Sequence, residues 1–456
     1  VEARLSPKAL ARRGAPFAVM LVLGVAFAWP ALGWPMTFDD LHLMRRFTAA
    51  QVLDSFRGHW EPERLMTRGF RPLTMVFNHA RTALLGENVA AHRLLVVVLH
   101  AAYWALLVPV GRRFGLGPAV VTAAGVLWLA STYTVFHYVW ITDGNHALQG
   151  LAFAGAALGL LRFLERGAHA AAAASLAAVL LGLLVREDTL AAVPMLFLLG
   201  YVRSSAIGPA RPRWAAYVAG GTVLCAAVFA YRARVVPRAH APASNLAGLL
   251  EHARKAANPV GEQAFDAASQ AAIAGWWVLL AALAVAVLTQ VPRQKWTAIG
   301  MWLPGALLAC APGLNVARDD LLFFPVTFFA LGVAAAAAAV WRARRPLRPL
   351  AAAVLAWGVA GGAYVGHTFA QNFHPDSLRA LFWNGRYVYG AYSYRANIPP
   401  ERRAAAVERL RRAGIYNVHH HVQGTRKLVR EAVRDGRRRP QADGAPFYPL
   451  LPWAED

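Results

Sequence analysis

The chain has 456 residues, 57% of them apolar, with a mean hydropathy of +0.37 and a formal charge of +23. Apolar content this high excludes a disordered polyelectrolyte, and recurring apolar runs of about twenty residues argue against an ordinary soluble enzyme. The charge comes from 43 arginines and only 4 lysines, which leaves topology, lipid headgroups, nucleic acid and catalysis as competing uses for them.

Windows of about 19 residues predict about eleven transmembrane helices. They lie near 15–34, 93–111, 118–136, 146–163, 168–185, 189–202, 213–231, 271–291, 297–312, 321–341 and 349–369. The expected fold class is therefore an all-α polytopic membrane protein. Pro16–Trp34 fits an uncleaved signal anchor, and Cys225 and Cys310 lie inside apolar runs where no disulfide framework is implied. Placing Arg4, Lys8, Arg12 and Arg13 in the cytoplasm sets the orientation. It puts Arg112/Arg113, Arg162/Arg166, Arg203/Arg211/Arg213, Arg293/Lys295 and Arg342/Arg344/Arg345/Arg348 on the same side. The short connections on the other side, 137–145, 186–188 and 313–320, carry only Arg186 and Arg318.

Three outer segments are too long to be mere connections. Residues 1–370 form the multi-span domain, interrupted by loops 35–92 and 232–270, and residues 371–456 form an extramembrane tail. The tail joins a Tyr-rich extended stretch (Arg386–Arg395), a helix opened by Pro399-Pro400-Glu401, an apolar run Ile415–Val422 and a second helix from Thr425. That pattern predicts a small C-terminal α/β appendage. It lies outside the cytoplasm for an odd span count and inside for an even one.

The strongest local signal is Thr37-Phe38-Asp39-Asp40, just after the first span. Two carboxylates at a membrane edge are costly unless solvated or paired. They fit either a helix cap or a general base that takes a proton from an attacking hydroxyl. Phe70-Arg71-Pro72-Leu73 follows in the same loop, and His92 and His100 stand eight residues apart on the second span, on one broad helical face. His100 also suits a structural hydrogen bond to a neighbouring helix. Tyr133, Phe136, His137, Tyr138, Trp140, Asp143 and His146 crowd the second outer loop, as an interfacial aromatic belt or as a sugar-binding wall. His419-His420-His421 sit in an extended segment and alternate faces, so no metal site is expected from them alone. Arg437-Arg438-Arg439 reads as solvated surface or an anionic-lipid contact rather than a nucleic-acid site. No P-loop, Rossmann fingerprint, Cys-x-x-Cys pair or Gly-x-Ser-x-Gly elbow is present, which argues against use of ATP or a nucleotide sugar.

Taken in order, Asp39-Asp40, Arg71-Pro72-Leu73 and His92-x7-His100 resemble the GT-C class of polyprenyl-phosphate-sugar glycosyltransferases, nearest the protein O-mannosyltransferase type. Val185-Arg186-Glu187-Asp188 with Pro194, and Arg318-Asp319-Asp320-Leu321-Leu322-Phe323-Phe324-Pro325, are similar to two further stretches of that class. The resemblance covers roughly residues 15–370. It departs at Phe136, where many members carry an acid, with Asp143 seven residues later, and the tail shows no 34-residue repeat.

The resemblance implies a GT-C-like fold in a bacterial inner membrane, with the active site on the periplasmic face. It implies transfer, inverting at the sugar carbon, from a polyprenyl-phosphate sugar to a hydroxyl of a glycan, glycolipid or protein. Membrane lipids are implied partners and nucleic acid is not. No cofactor beyond the lipid-linked donor is implied, with a divalent metal left open. Asp39 and Asp40 would be the catalytic carboxylates. Arg71, Arg186 and Arg318, with His92 and His100, would hold the lipid phosphate and donor, because guanidinium groups bind phosphate through paired, planar contacts. His137, Asp143, His146 and Glu187 would face the sugar or acceptor. Simple ion pairing of Arg186 with Glu187/Asp188, and of Arg318 with Asp319/Asp320, is the competing use of those arginines. The alternative function is a polytopic lipid or solute transporter or flippase, and a third is a non-catalytic membrane scaffold. The enzyme is favoured because no internal repeat is evident and the charges gather at one edge.

Overall fold

The computed structural model describes residues 7–33, 43–44, 46–58, 69–86, 88–236, 246–261, 266–314 and 319–370. Asp39, Asp40, Arg318 and the expected α/β appendage at 371–456 lie outside these described residues. Among the described residues the regular structure is helical throughout, with no strand.

The chain runs through α1 (Pro7–Ala28), α2 (Ala49–Asp54), α3 (Pro72–Leu85), α4 (Val89–Arg112), α5 (Pro118–Ala130), α6 (Thr132–Val139), α7 (His146–Arg166) and α8 (His169–Val185). It continues through α9 (Val193–Ala206), α10 (Arg211–Val235), α11 (Leu246–Ala256), α12 (Ala267–Gln290), α13 (Trp296–Gly300), α14 (Trp302–Ala309), α15 (Phe323–Ala343) and α16 (Arg348–Ala370). Eight stretches among the described residues are long and apolar enough to cross a membrane: those of α1, α4, α7, α9, α10, α12, α15 and α16. The described residues are those of an all-α polytopic membrane protein.

Three of the eleven expected spans fall on shorter helices, and local chemistry explains two of the interruptions. The stretch 118–136 breaks at Ser131, which takes an extended conformation (φ −61°, ψ 135°). Ser131 Oγ accepts from the Tyr133 N–H at 3.3 Å and Thr134 Oγ1 donates to the Trp128 carbonyl at 2.6 Å, so side chains hold the corner. The stretch 297–312 divides at Met301 into α13 and α14. Pro304 lacks the N–H that would bond the Gly300 carbonyl, and its ring crowds that carbonyl. The third stretch, 168–185, is the single helix α8 of 17 residues.

Burial separates the core from the rim. The α15 window is 94% buried and sits at the centre, whereas those of α10 and α12 are only 17% and 22% buried. The outer faces of α10 and α12 carry exposed Val223, Val278, Val285 and Leu288, the surface expected against lipid tails, which are as apolar as leucine.

The bundle has two chemically different ends. One gathers Arg112, Arg113, Arg166, Arg203, Arg211, Arg213, Arg342, Arg344 and Arg348 at helix termini. There Glu165 accepts from Arg113 Nε at 3.0 Å and from Arg203 Nη2 at 2.9 Å, tying α4, α7 and α9. The other end carries the two long segments. In the first, the Phe47 N–H donates to His79 Nδ1 at 3.0 Å and Leu43, Phe47 and Met75 form a small apolar cluster. Tyr231 of α10 donates its hydroxyl to the Phe56 carbonyl at 2.8 Å.

The second long segment returns through α11 and latches onto the Ser131 corner. The Thr132 N–H donates to the Pro259 carbonyl at 3.0 Å and Thr132 Oγ1 donates to the Val260 carbonyl at 2.7 Å. Asp266 then caps α12, accepting from Ser269 N at 2.7 Å and from the Tyr364 hydroxyl at 2.6 Å. The Tyr364 hydrogen bond first, then those of Ser269, hold this carboxyl below its ordinary value, at about 2.

Gly261 closes the latch at φ +104°, and a Cβ there would stand 2.8 Å from Thr132 Oγ1. Gly115 has φ +77° with open space around it. Gly261→Ala therefore costs strain plus a clash, about 1–3 kcal/mol or more, while Gly115→Ala costs strain alone. Thermal unfolding in detergent checks this: the Gly261 variant melts well below the Gly115 variant, and equal melting temperatures would contradict the latch.

Candidate functional site

The polar residues at the loop-bearing end are set by where helices stop. Arg71 precedes α3, whose first residue, Pro72, needs no N–H partner and presets the helical φ. Thr74 Oγ1 donates to the Val185 carbonyl at 2.7 Å, docking the start of α3 on the last residue of α8. Arg71 Nε then donates to Glu187 Oε2 at 3.2 Å, across 116 positions of sequence.

Past α8 the chain enters a tight 3-10 turn, Glu187–Ala192, before α9. This turn exposes successive polar side chains to different neighbours. Arg186 Nε donates to Asp188 Oδ1 at 3.2 Å, with Arg186 only 4% exposed. Gln149 Nε2, from α7, reaches Asp188 Oδ1 at 2.8 Å and Thr189 Oγ1 at 2.9 Å. Thr189 Oγ1 itself donates to the Gly182 carbonyl at 2.8 Å. Two guanidinium groups thus alternate with two carboxylates, an arrangement stable in an apolar interior only while every partner is present.

Beyond Asp188 the polarity continues inward as a row of imidazoles. His146 Nδ1 lies 3.9 Å from Asp188 Oδ2, an ion pair whenever the ring is protonated. The His146 and His137 ring centres are 4.9 Å apart, and those of His137 and His100 are 5.6 Å apart. Phe323, the first residue of α15, meets all three rings, at 5.6 Å from His146 and from His137 and 6.1 Å from His100. Trp128 and Tyr138 close the far side, at 5.0 and 5.5 Å from His100.

A second polar group lies along α3, α4 and the α6–α7 connection. Arg81 Nη1 donates to the Ile141 carbonyl at 3.2 Å, with its guanidinium 5.1 Å from the Phe77 ring centre. Arg93 Nη1 donates to the Leu32 carbonyl at 3.3 Å, and Asn145 Nδ2 donates to Asn78 Oδ1 at 3.3 Å. His92 shares a 2.9 Å hydrogen bond between Nε2 and the Gly86 carbonyl.

Six residues singled out by the sequence therefore meet in one site: Arg71, His100, His137, His146, Arg186 and Glu187. His92 belongs to the second group, about 12 Å of helical rise from His100. The backbone of Asp143 forms the 3-10 turn Asp143–Asn145. Sequence reasoning missed Gln149, Thr189, Arg81 and Arg93 and used Phe323 only as a motif letter, whereas the ion pairing of Arg186 with Asp188 that it offered as the competing use of that arginine is present. A signal for Gln149 existed: it follows His146 by three residues, one helical turn, on an otherwise apolar span.

Among the described residues no group of three His, Cys, Asp or Glu is placed to hold a metal ion. Fold and site together define a polytopic helical membrane protein with a paired-charge and histidine site buried at one end of its bundle. No family model, curated protein or solved structure matches this chain.

Gln149→Leu removes the donor to both Asp188 and Thr189 while keeping the side chain's bulk. Leaving buried acceptors unmatched costs about 1–3 kcal/mol. The variant is expected to unfold at lower temperature than wild type, and Gln149→Glu, which adds a third carboxylate, lower still. An unchanged melting temperature for both would show that Arg186 alone holds Asp188.

Proposed function

We propose that the protein is a GT-C-like glycosyltransferase that moves a sugar from a polyprenyl phosphate to an acceptor hydroxyl. The supporting observation is convergence. Arg71 of Arg-Pro-Leu is bonded to Glu187 of Arg-Glu-Asp, while His100 of the second span packs on Phe323 of the Leu321–Pro325 stretch, which also meets His146, the ring next to Asp188. Four stretches that carry the resemblance, spread over 250 residues of sequence, supply one site.

The chemistry fits that reading. When the acceptor oxygen attacks, the bond between the sugar carbon and the phosphate oxygen breaks and negative charge develops on the lipid phosphate. Fixed guanidinium groups in a water-poor site stabilise that charge without reorganising. Arg71 and Arg186 are positioned for this, and Glu187 and Asp188 hold them in place. Asp39 or Asp40 is the proposed base and Arg318 a further phosphate contact, both from the sequence pattern. His137, Asp143 and His146 are the proposed sugar or acceptor contacts, and His92 is proposed to act on the donor from the second polar group. Direct attack inverts the sugar carbon.

The basic end faces the cytoplasm in this reading, and the site faces the periplasm of a bacterial inner membrane. About eleven crossings then place the tail on the periplasmic side. Acceptors of the right chemistry are an envelope glycan, a glycolipid or a secreted protein.

Purified protein in nanodiscs with labelled polyprenyl-phosphate sugars tests the proposal. Arg71→Ala is expected to lower transfer about 100-fold, the scale of losing one charge-stabilising donor. Arg348→Ala, at the opposite end, is expected to leave it unchanged. Movement of the labelled lipid across a bilayer with no covalent product would replace the enzyme by the transporter reading, which the buried charges also accommodate.

A further inference from the structure

The basic end of the bundle has two unlike sides. Beside α4, α7 and α9, Glu165 neutralises Arg113 and Arg203, and Arg213 Nη1 donates to the Leu164 carbonyl at 3.1 Å. Beside α12, α15 and α16 the cations have no such counterweight. Arg293 and Lys295 follow α12, Arg342, Arg344 and Arg345 close α15, and Arg348 opens α16. All of these are exposed, and none has a carboxylate partner among the described residues. The only acids between positions 267 and 375 are Asp319 and Asp320, and these precede α15 at the opposite end.

Helix geometry brings the two basic loops to one level. Trp276 lies against Gly358 and Ala272 against Gly361, so α12 and α16 run antiparallel in close contact. Trp357 Nε1 fixes that register by donating to the Ala272 carbonyl at 2.8 Å. From Trp276, α12 rises about 21 Å to Gln290, and from Gly358, α16 rises about 15 Å to Arg348. The 3-10 turn Arg345–Leu347 adds about 6 Å more. Helix α15 packs against both helices and delivers Arg342 and Arg344 to the same place.

The surface just below the charge is apolar. Val285 and Leu288 on the last turns of α12 are exposed, as is Trp341 at the end of α15. The Arg348 guanidinium lies 5.5 Å from the Trp341 ring centre, and its Nε donates to the Trp341 carbonyl at 3.4 Å. Topology explains the sign of the charge but not its concentration, because basic residues near any span end serve orientation equally. Like charges crowded on adjoining loops repel one another, and a bound anion relieves that repulsion.

We propose that this face binds an anionic phospholipid of the adjoining leaflet. Arg293, Arg344, Arg345 and Arg348 hold its phosphate through the planar contacts guanidinium groups make, and Val285 and Leu288 of α12 seat its acyl chains. Trp341 stands at the headgroup level, where tryptophan is favoured. The apolar wall beneath the charge selects a lipid over a free phosphate. The site lies at the end opposite Arg71 and Arg186, and it stands whether or not the protein transfers sugar.

Native mass spectrometry of the intact protein in neutral detergent tests this, with dioleoyl phosphatidylglycerol and its phosphatidylcholine counterpart as probes. Wild type is expected to retain phosphatidylglycerol in preference to phosphatidylcholine. Arg344→Gln/Arg345→Gln/Arg348→Gln should weaken that retention about tenfold or more, since each basic residue near an anionic headgroup contributes about fivefold. Arg112→Gln/Arg162→Gln/Arg166→Gln removes the same charge from exposed positions on the Glu165 side and should leave retention largely unchanged. Arg345→Gln alone, with a smaller loss, carries the test should the first triple variant fail to fold. Equal retention of the two lipids by wild type, or equal weakening by the two triple variants, overturns the site. Displacement of the lipid by an equal concentration of inorganic phosphate overturns it too, by showing that the face binds a free anion.

Discussion

The arrangement at the loop-bearing end depends on keeping Asp188 charged and partnered inside an apolar bundle. A buried carboxylate is tolerated only when hydrogen bonds and opposite charge replace the water it has lost. Here Arg186 and Gln149 supply them, and His146 stands next in line. Each partner comes with its own structural requirement. Gln149 fixes the rotation of α7, Arg186 fixes where α8 stops, and the tight turn from Glu187 brings Arg71 and α3 onto the same spot. Loss of any one partner leaves charge in a poor solvent. The site and the local fold are therefore maintained by the same contacts.

The two ends of the bundle use arginine differently. At the basic end Arg112, Arg113, Arg166, Arg203, Arg342 and Arg344 sit at helix C-termini, where they suit the negative pole of the helix dipole, while Arg211, Arg213 and Arg348 open helices and suit only the polar surface at that end. Glu165 there bridges two of them across three helices. At the other end Arg71, Arg81, Arg93 and Arg186 are drawn inward, held by carboxylates, backbone carbonyls or an aromatic face. The central helix α15 connects the two, presenting Phe323 to the histidines at its first residue and ending beside Arg344 at its last.

Much of the helical architecture was legible in sequence because a bilayer demands long apolar runs, and α1, α4, α7, α10, α12, α15 and α16 have them. The breaks at Ser131 and Met301 were harder to read. A serine corner depends on Thr132 finding Pro259 and Val260, more than a hundred residues away, and no local window contains that contact. The site divides the same way. Arg71, Arg186 and Glu187 stood out because charge at a span edge is rare, and the three histidines because polar rings interrupt apolar helices. Gln149 and Thr189 carry no charge and sit in runs of small residues, so it takes their geometry to show that Gln149 holds Asp188 and that Thr189 ties Gln149 to the Gly182 carbonyl. His92 and His100 looked like one pair by helical spacing, and the packing around α4 assigns them to different neighbourhoods.

Whether the proposed lipid-phosphate donor binds at Arg71 and Arg186 is the central question, and photo-crosslinking answers it most directly. A polyprenyl-phosphate sugar carrying a photoreactive group near the phosphate, irradiated with the protein in nanodiscs, should label peptides containing Arg71 and Arg186–Glu187. Excess unlabelled lipid phosphate should remove the label. Labelling confined to the basic end around Glu165 and Arg203, or spread evenly over the lipid-facing surfaces of α10 and α12, would contradict the account.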